Sequence, residues 1–154
     1  MSCIINIGGE YFDVDAFAKK AQLKNIQKRY KGDVIDTSVT SKQRRAKFSN
    51  LTIVASQKDF DDFEGQVSDV VTYLEKNKDS FKHIASTEGV DFAILDFGID
   101  SEIDNKTILT QSIFLNTELI HLCGQFKFSI EISIYSQQIQ DVLDKKRTAS
   151  KNKS

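Results

Sequence analysis

Residues 100–104 run Asp100-Ser101-Glu102-Ile103-Asp104, three carboxylates at alternate positions. A calcium-binding loop offers its oxygen ligands at that spacing, but it also needs Gly at its sixth position and a bidentate Glu at its twelfth. Asn105 and Gln111 stand there. The stretch therefore reads as a solvated loop, and no metal is assigned to the chain. His121 lies three residues after Glu118 and His83 stands alone, so neither has a second donor at metal-ligand spacing. A catalytic histidine needs an oriented acid and a nucleophile beside it, and local sequence places neither. Cys123 falls on an apolar helical face and reads as core, because reactive thiols need an accessible, electropositive setting. Gly8-Gly9 lacks the further glycines and the Lys of a phosphate-binding loop and reads as a turn. No catalytic residue and no cofactor is assigned, which favours a binding module over an enzyme.

Charge is the remaining chemical signal. Net charge is only −1, yet residues 1–58 hold 11 Lys/Arg against 5 Asp/Glu and residues 59–106 hold 4 against 13. The first group centres on a basic stretch with Lys28, Arg29, Lys31, Arg44, Arg45 and Lys47, among which Tyr30 and Phe48 could stack on bases. The second includes Asp61, Asp62, Glu64, Asp69, Asp100, Glu102 and Asp104. A basic protein would be steered to such an acidic surface. A sequence pI of 6.1 and the absence of an aromatic-rich RNA-binding strand argue against nucleic acid.

These groups must be positioned by a small set of elements. Phe128, Ile130, Ile132 and Ile134 alternate with Ser129, Glu131, Ser133 and Tyr135, the period of a strand with one buried and one solvated face. Similar reasoning predicts strands over residues 3–7, 48–55, 92–99 and 111–115, with 92–99 apolar on both faces and so central. Val14, Phe17, Ala18 and Ala21 predict a helix capped by Asp13 or Asp15. Apolar residues from Phe60 to Ile84 predict one long helix over residues 59–84, capped by Asp59 and interrupted in rhythm only at Asn77. Leu119, Leu122, Cys123 and Phe126 predict a last helix capped by Asn116 or Thr117. Residues 25–45 carry little periodicity and read as a long connection that could hide a short strand near Val34, Ile35 or Val39.

From residue 46 the expected order is strand, helix, strand, strand, helix, strand, which is ferredoxin-like. The fold class is therefore α+β: a two-layer sandwich with an antiparallel or mixed sheet of about five strands and helices on one face. Residues 1–136 form one domain, and residues 137–154, rich in Lys and Arg, are expected to be a disordered basic tail after a short helical turn. The composition, 40% apolar and 28% charged, is ordinary for a globular protein. The first residues lack the basic start of a signal peptide, and no apolar run reaches the ~20 residues of a membrane span. A cytoplasmic chain with two reduced thiols, not associated with membrane, is expected. Oligomeric state stays open, since the last strand could pair with another chain.

Four stretches resemble a known family: Gly9-Glu10-Tyr11-Phe12-Asp13, Arg44-Arg45-Ala46-Lys47-Phe48-Ser49, the acidic-capped helix over 59–84, and Leu115-Asn116-Thr117-Glu118-Leu119-Ile120 running on to Ile132-Ser133-Ile134-Tyr135. Together they are similar to a family of small bacterial proteins described only as a domain of unknown function, number forty-two seventy-nine. The resemblance implies an α+β sandwich and, by analogy with related small bacterial domains, a toxin-immunity role; it supplies no catalytic residues. The expectation is a non-enzymatic bacterial binding module that occludes a basic protein partner through the seven acidic residues. The alternative is an RNA- or small-molecule-binding regulatory domain using the basic residues 28–47.

Overall fold

The structure, a computed structural model, describes residues 2–35, 44–103 and 107–136. Its frame is a mixed five-stranded sheet. The strands are β1 (Cys3–Gly9), β2 (Ile26–Arg29), β5 (Ser49–Ser56), β6 (Phe92–Asp100) and β7 (Ser129–Tyr135). They lie in the order β2-β5-β1-β6-β7, antiparallel throughout except for the parallel β6–β7 pair. A separate two-residue ladder joins β3 (Val34–Ile35) to β4 (Arg44–Arg45). The helices are α1 (Val14–Ala21), α2 (Phe63–Lys76), the single turn α3 (Lys78–Phe81) and α4 (Thr117–Phe126).

Register decides which residues meet the helices. Cys3, Ile5 and Ile7 of β1 lie opposite Phe97, Leu95 and Ala93 of β6. Ile5 and Ile7 also lie opposite Ile53 and Leu51 of β5. All eight are buried in one cluster with Phe17 of α1, Val70 and Leu74 of α2 and Leu119 of α4. Alternation puts Asn6, Asn50, Thr52, Ile94, Asp96, Ser133 and Tyr135 on the opposite, helix-free face. There Asn50 Nδ2 donates to Asn6 Oδ1 at 2.7 Å, and Ser133 Oγ donates to Asp96 Oδ1 at 2.7 Å. β6 lies inside the sheet, between β1 and β7, but the cover that its two apolar faces predict is present on one face only. Phe92 and Ile94 on the other are half-buried.

Caps explain where the helices begin. Asp13 accepts from the Ala16 N–H at 2.9 Å and Asn116 from the Leu119 N–H at 2.8 Å. Each such cap is worth roughly 1 kcal/mol. The long helix differs from expectation at both ends. Asp62, not Asp59, caps α2 by accepting from the Gly65 N–H at 2.9 Å. The helix stops at Asn77, whose Nδ2 donates to the Tyr73 carbonyl at 2.8 Å while its own N–H reaches the same oxygen at 3.1 Å. A side-chain amide that competes for the helical acceptor in this way ends the ladder. α3 and a 3-10 turn, Ile84–Ser86, then carry Phe81 and Ile84 into the core.

The strand expected at residues 111–115 does not form, so the order from residue 46 is one strand short of ferredoxin-like. β7 takes the free edge of β6 and runs parallel to it. A parallel neighbour requires a crossover of a dozen or more residues, and residues 101–128 are spent on that crossover. Residues 111–115 still alternate between half-buried and exposed, but among the described residues no strand pairs with them. The turn after β1 is a close approach: a Cβ on Gly9 would sit 1.9 Å from the Gly89 carbonyl oxygen. Gly8-Gly9 is thus a packing device as well as a turn.

Candidate functional site

The C-terminal end of β6 and the N-terminal end of α2 lie side by side. The Asp100 N–H donates to the Phe60 carbonyl at 3.1 Å, and the Ser101 N–H to the Tyr135 carbonyl at 2.8 Å. Gln66, fully buried, donates from Nε2 to the carbonyls of Gly98 (2.9 Å) and Asp59 (3.1 Å), fastening the start of α2 to β6. Phe60 stacks on Tyr135 at 5.1 Å between ring centroids, above Gly98. Side chains larger than hydrogen at position 98 would crowd that ring.

Around this junction the crossover segment closes a cleft of about 110 Å³, lined by Phe60, Asp61, Asp100, Glu102, Gln111 and Ser112, among others. A wider recess of about 350 Å³ adjoins it, lined by Asp61, Asp62, Phe63, Glu64, Ser112 and Phe114. Five of the seven acidic residues expected to bind a partner therefore surround one end of the sheet: Asp61, Asp62, Glu64, Asp100 and Glu102. Asp69 does not join them. It lies further along α2, where Oδ2 accepts from Ser56 Oγ at 2.8 Å. Asp104 lies outside the described residues.

The carboxylates differ in surroundings. Asp62 is committed twice, as the α2 cap and through Lys58 at 3.7 Å. Asp61, Glu64 and Glu102 are exposed and form no ion pair among the described residues. Asp100 is half-buried, and its Oδ1 is shielded from solvent without a hydrogen-bond partner among those residues. Burial first, and the Asp61 charge second, hold its carboxyl above the usual range.

Two residues that sequence reasoning missed shape the cleft. Gln111 donates from Nε2 to the Asp100 carbonyl at 2.9 Å and accepts the Glu102 N–H on Oε1 at 3.2 Å. Its amide stands in for the missing strand ladder, and with both ends engaged it serves as a clamp on the loop. The one legible signal was a polar residue at an inward position of the 111–115 alternation. Phe114, 81% exposed, gives the recess an apolar wall. Among the described residues no group of three His, Cys, Asp or Glu side chains is arranged to hold a metal ion. His121 is exposed and His83 half-buried, and neither lines this cleft.

The basic residues are dispersed by comparison. Lys28 projects from β2 to Asp15 at 2.6 Å, and Lys31 reaches Glu10 at 2.8 Å while lying over the Tyr11 ring at 5.4 Å. The Lys28 ammonium holds the Asp15 carboxyl below its usual range. Arg45 donates to the Gly32 carbonyl at 2.9 Å. Arg29 sits on the helix-free face of the sheet edge, while Arg44 and Lys47 are exposed at and beside β4. Exposed ion pairs are weak, about 0–1 kcal/mol, but they lower the field a polyanion would meet.

No helix among the described residues is long and apolar enough to cross a membrane. No curated protein and no solved structure matches the chain. A family model, by contrast, matches residues 1–137, which takes in every strand and helix described above. The chain belongs to the family described as Domain of unknown function (DUF4279).

Proposed function

We propose that this chain is a non-enzymatic protein-binding module of the bacterial cytoplasm, an immunity-type protein that occludes a basic partner with the acidic end of its sheet. The observation that carries this reading is the convergence of Asp61, Glu64, Asp100 and Glu102, separated by up to 41 positions in sequence, at one end of the sheet: Asp61, Asp100 and Glu102 line the cleft, and Asp61 and Glu64 line the adjoining recess walled by the exposed Phe114. Desolvated aromatic anchors ringed by charge are what protein interfaces use. Two buried, unpaired thiols, Cys3 and Cys123, fit a reducing compartment.

The test is capture from nuclease-treated lysate of the source organism. The wild-type chain is compared with Asp61→Asn/Glu64→Gln/Glu102→Gln, which spares the Asp62 cap. A basic protein held by the wild type and lost by the variant supports the reading. Its association rate should fall about tenfold or more in the variant and depend less on salt. Equal capture by both chains, or none by either, overturns it. The competing reading, an RNA- or small-molecule-binding regulatory domain on Lys28, Arg29, Lys31, Arg44, Arg45 and Lys47, is what recovery of RNA before nuclease treatment would support.

A further inference from the structure

We propose that the outer edge of β7 is a self-association surface, and that its partner is the β7 of a second copy of this chain, paired antiparallel about Ile132. The two edges of the sheet, β2 and β7, are finished differently. β2 is four residues long and carries Lys28 and Arg29, the short and charged arrangement that keeps an edge from pairing with another strand. β7 is seven residues long, holds Glu131 as its one charge, and pairs with β6 without a register shift, so no bulge interrupts it. The chain contains no Pro that could block the edge. Among the described residues no strand covers its outer side.

Hydrogen-bond direction identifies the residues left open. Tyr135 lies opposite Asp100, and its carbonyl accepts the Ser101 N–H at 2.8 Å. In a parallel ladder a residue aims its N–H and its carbonyl to the same side, and the next residue aims both to the other. Ser129, Glu131, Ser133 and Tyr135 therefore bond to β6, which leaves the donors and acceptors of Ile130, Ile132 and Ile134 on the outer side. Their side chains share the helix-covered face with Leu95, Phe97 and Ile99, yet Ile134 is 57% exposed.

A second β7 fits this edge by symmetry. With a two-fold axis at Ile132, Ile130 meets Ile134 of the second copy, Ile132 meets its own equivalent, and each pair exchanges two N–H···O bonds. The Ile side chains of both copies then form one apolar stripe on the helix side, while Glu131 faces Ser133 of the second copy. Shifting the register by two residues one way sets Glu131 against its own equivalent, where like charges repel. Shifting it the other way carries Ile130 past the end of the partner strand. This self-match, rather than exposure alone, identifies the occupant as a second copy. The surface uses none of the acidic residues of the proposed partner site, so the two readings stand or fall separately.

The experiment is sedimentation equilibrium of the full chain from micromolar to near-millimolar concentration. The mass should rise from 17.4 kDa towards twice that value. Ile134→Lys puts a charge at a position already exposed in the single chain, so it should keep the wild-type urea midpoint and stay monomeric. Ile132→Cys should cross-link to its own equivalent on mild oxidation, since a hydrogen-bonded antiparallel pair has Cα atoms about 5.5 Å apart, within disulfide range. Glu131→Cys, diagonal to its equivalent in this register, should not. Cys3 and Cys123 are buried and do not compete. A monomer at every concentration, a dimer that Ile134→Lys leaves intact, or cross-linking at residue 131 as readily as at 132 would overturn the proposal.

Discussion

Phe81 and Phe114 are the same residue in similarly mixed stretches of sequence, yet their replacement by Ala should give opposite results. Phe81 is fully buried, with ring centroids of Phe128, Tyr73 and Phe126 at 5.4, 6.1 and 6.1 Å. A buried phenyl removes about 150–250 Å² from water. At ~25 cal/mol per Å² that is about 4–6 kcal/mol, of which Ala keeps a part while the cavity adds a penalty. Phe81→Ala should therefore cost about 3–5 kcal/mol, a large share of the ~5–15 kcal/mol that holds an ordinary domain together. Phe114 has little burial to lose, and Phe114→Ala should stay within about 0.5 kcal/mol. The assay is urea unfolding followed by circular dichroism, since the chain has no Trp. With a slope of about 2 kcal/mol/M, the midpoint should fall by about 2 M for Phe81→Ala and hardly move for Phe114→Ala. Similar midpoints for the two variants would refute the packing described here. A stable Phe114→Ala that no longer captures a partner would mark that ring as an interface residue.

Three further perturbations test the local chemistry. Asn116→Ala removes the acceptor at 2.8 Å from the Leu119 N–H and should cost about 1 kcal/mol in the same urea assay, whereas Asn116→Asp should be nearly neutral. Asp100 has its folded-state pKa raised, so the folded chain keeps a proton that the unfolded chain has released. That contribution to stability is present at low pH and is lost as pH rises through the folded pKa. Asp61→Asn removes the second cause of the shift, and the Asp100 carboxyl signal in an NMR titration should move to lower pH; an unmoved midpoint would mean that the two carboxylates do not interact. Burial pushes the Cys123 thiol up to about 11 and raises that of Cys3 as well, so iodoacetamide at pH 8 should modify neither until denaturant is added. Rapid alkylation of the native chain would contradict their burial.

Legibility followed local physics. α1 and α4 were readable because the apolar spacing and the capping side chain both lie within a few residues of each other. Of the two candidates at each start, Asp13 and Asn116 are the ones that cap. The α+β class and the one-sided sheet were readable from the period-two strands. β2 was not, because Gln27, Lys28 and Arg29 leave Ile26 as its one apolar residue, and only pairing with β5 makes it a strand. Residues 111–115 show the converse: their alternation was read correctly, but a strand also needs a neighbour, and β7 had taken it. The closing strand itself is less buried than its pattern implies, with Ile134 57% exposed, because an edge strand has cover from one side only.

The sequence by itself determined the helical and strand periodicities, the regions where α1 and α4 begin, the fold class and the segregation of charge into a basic first third and an acidic middle. Tertiary structure decided which of those charges act together. Asp61, Asp62 and Glu64 met Asp100 and Glu102 because Gln66 and Phe60 pin the start of α2 to the end of β6, a contact between residues more than 30 positions apart. Asp69, only five residues beyond Glu64, was turned away to Ser56 by the helical repeat. Composition counts charges along a line, while a field depends on their separation in space, and only the folded chain sets that distance.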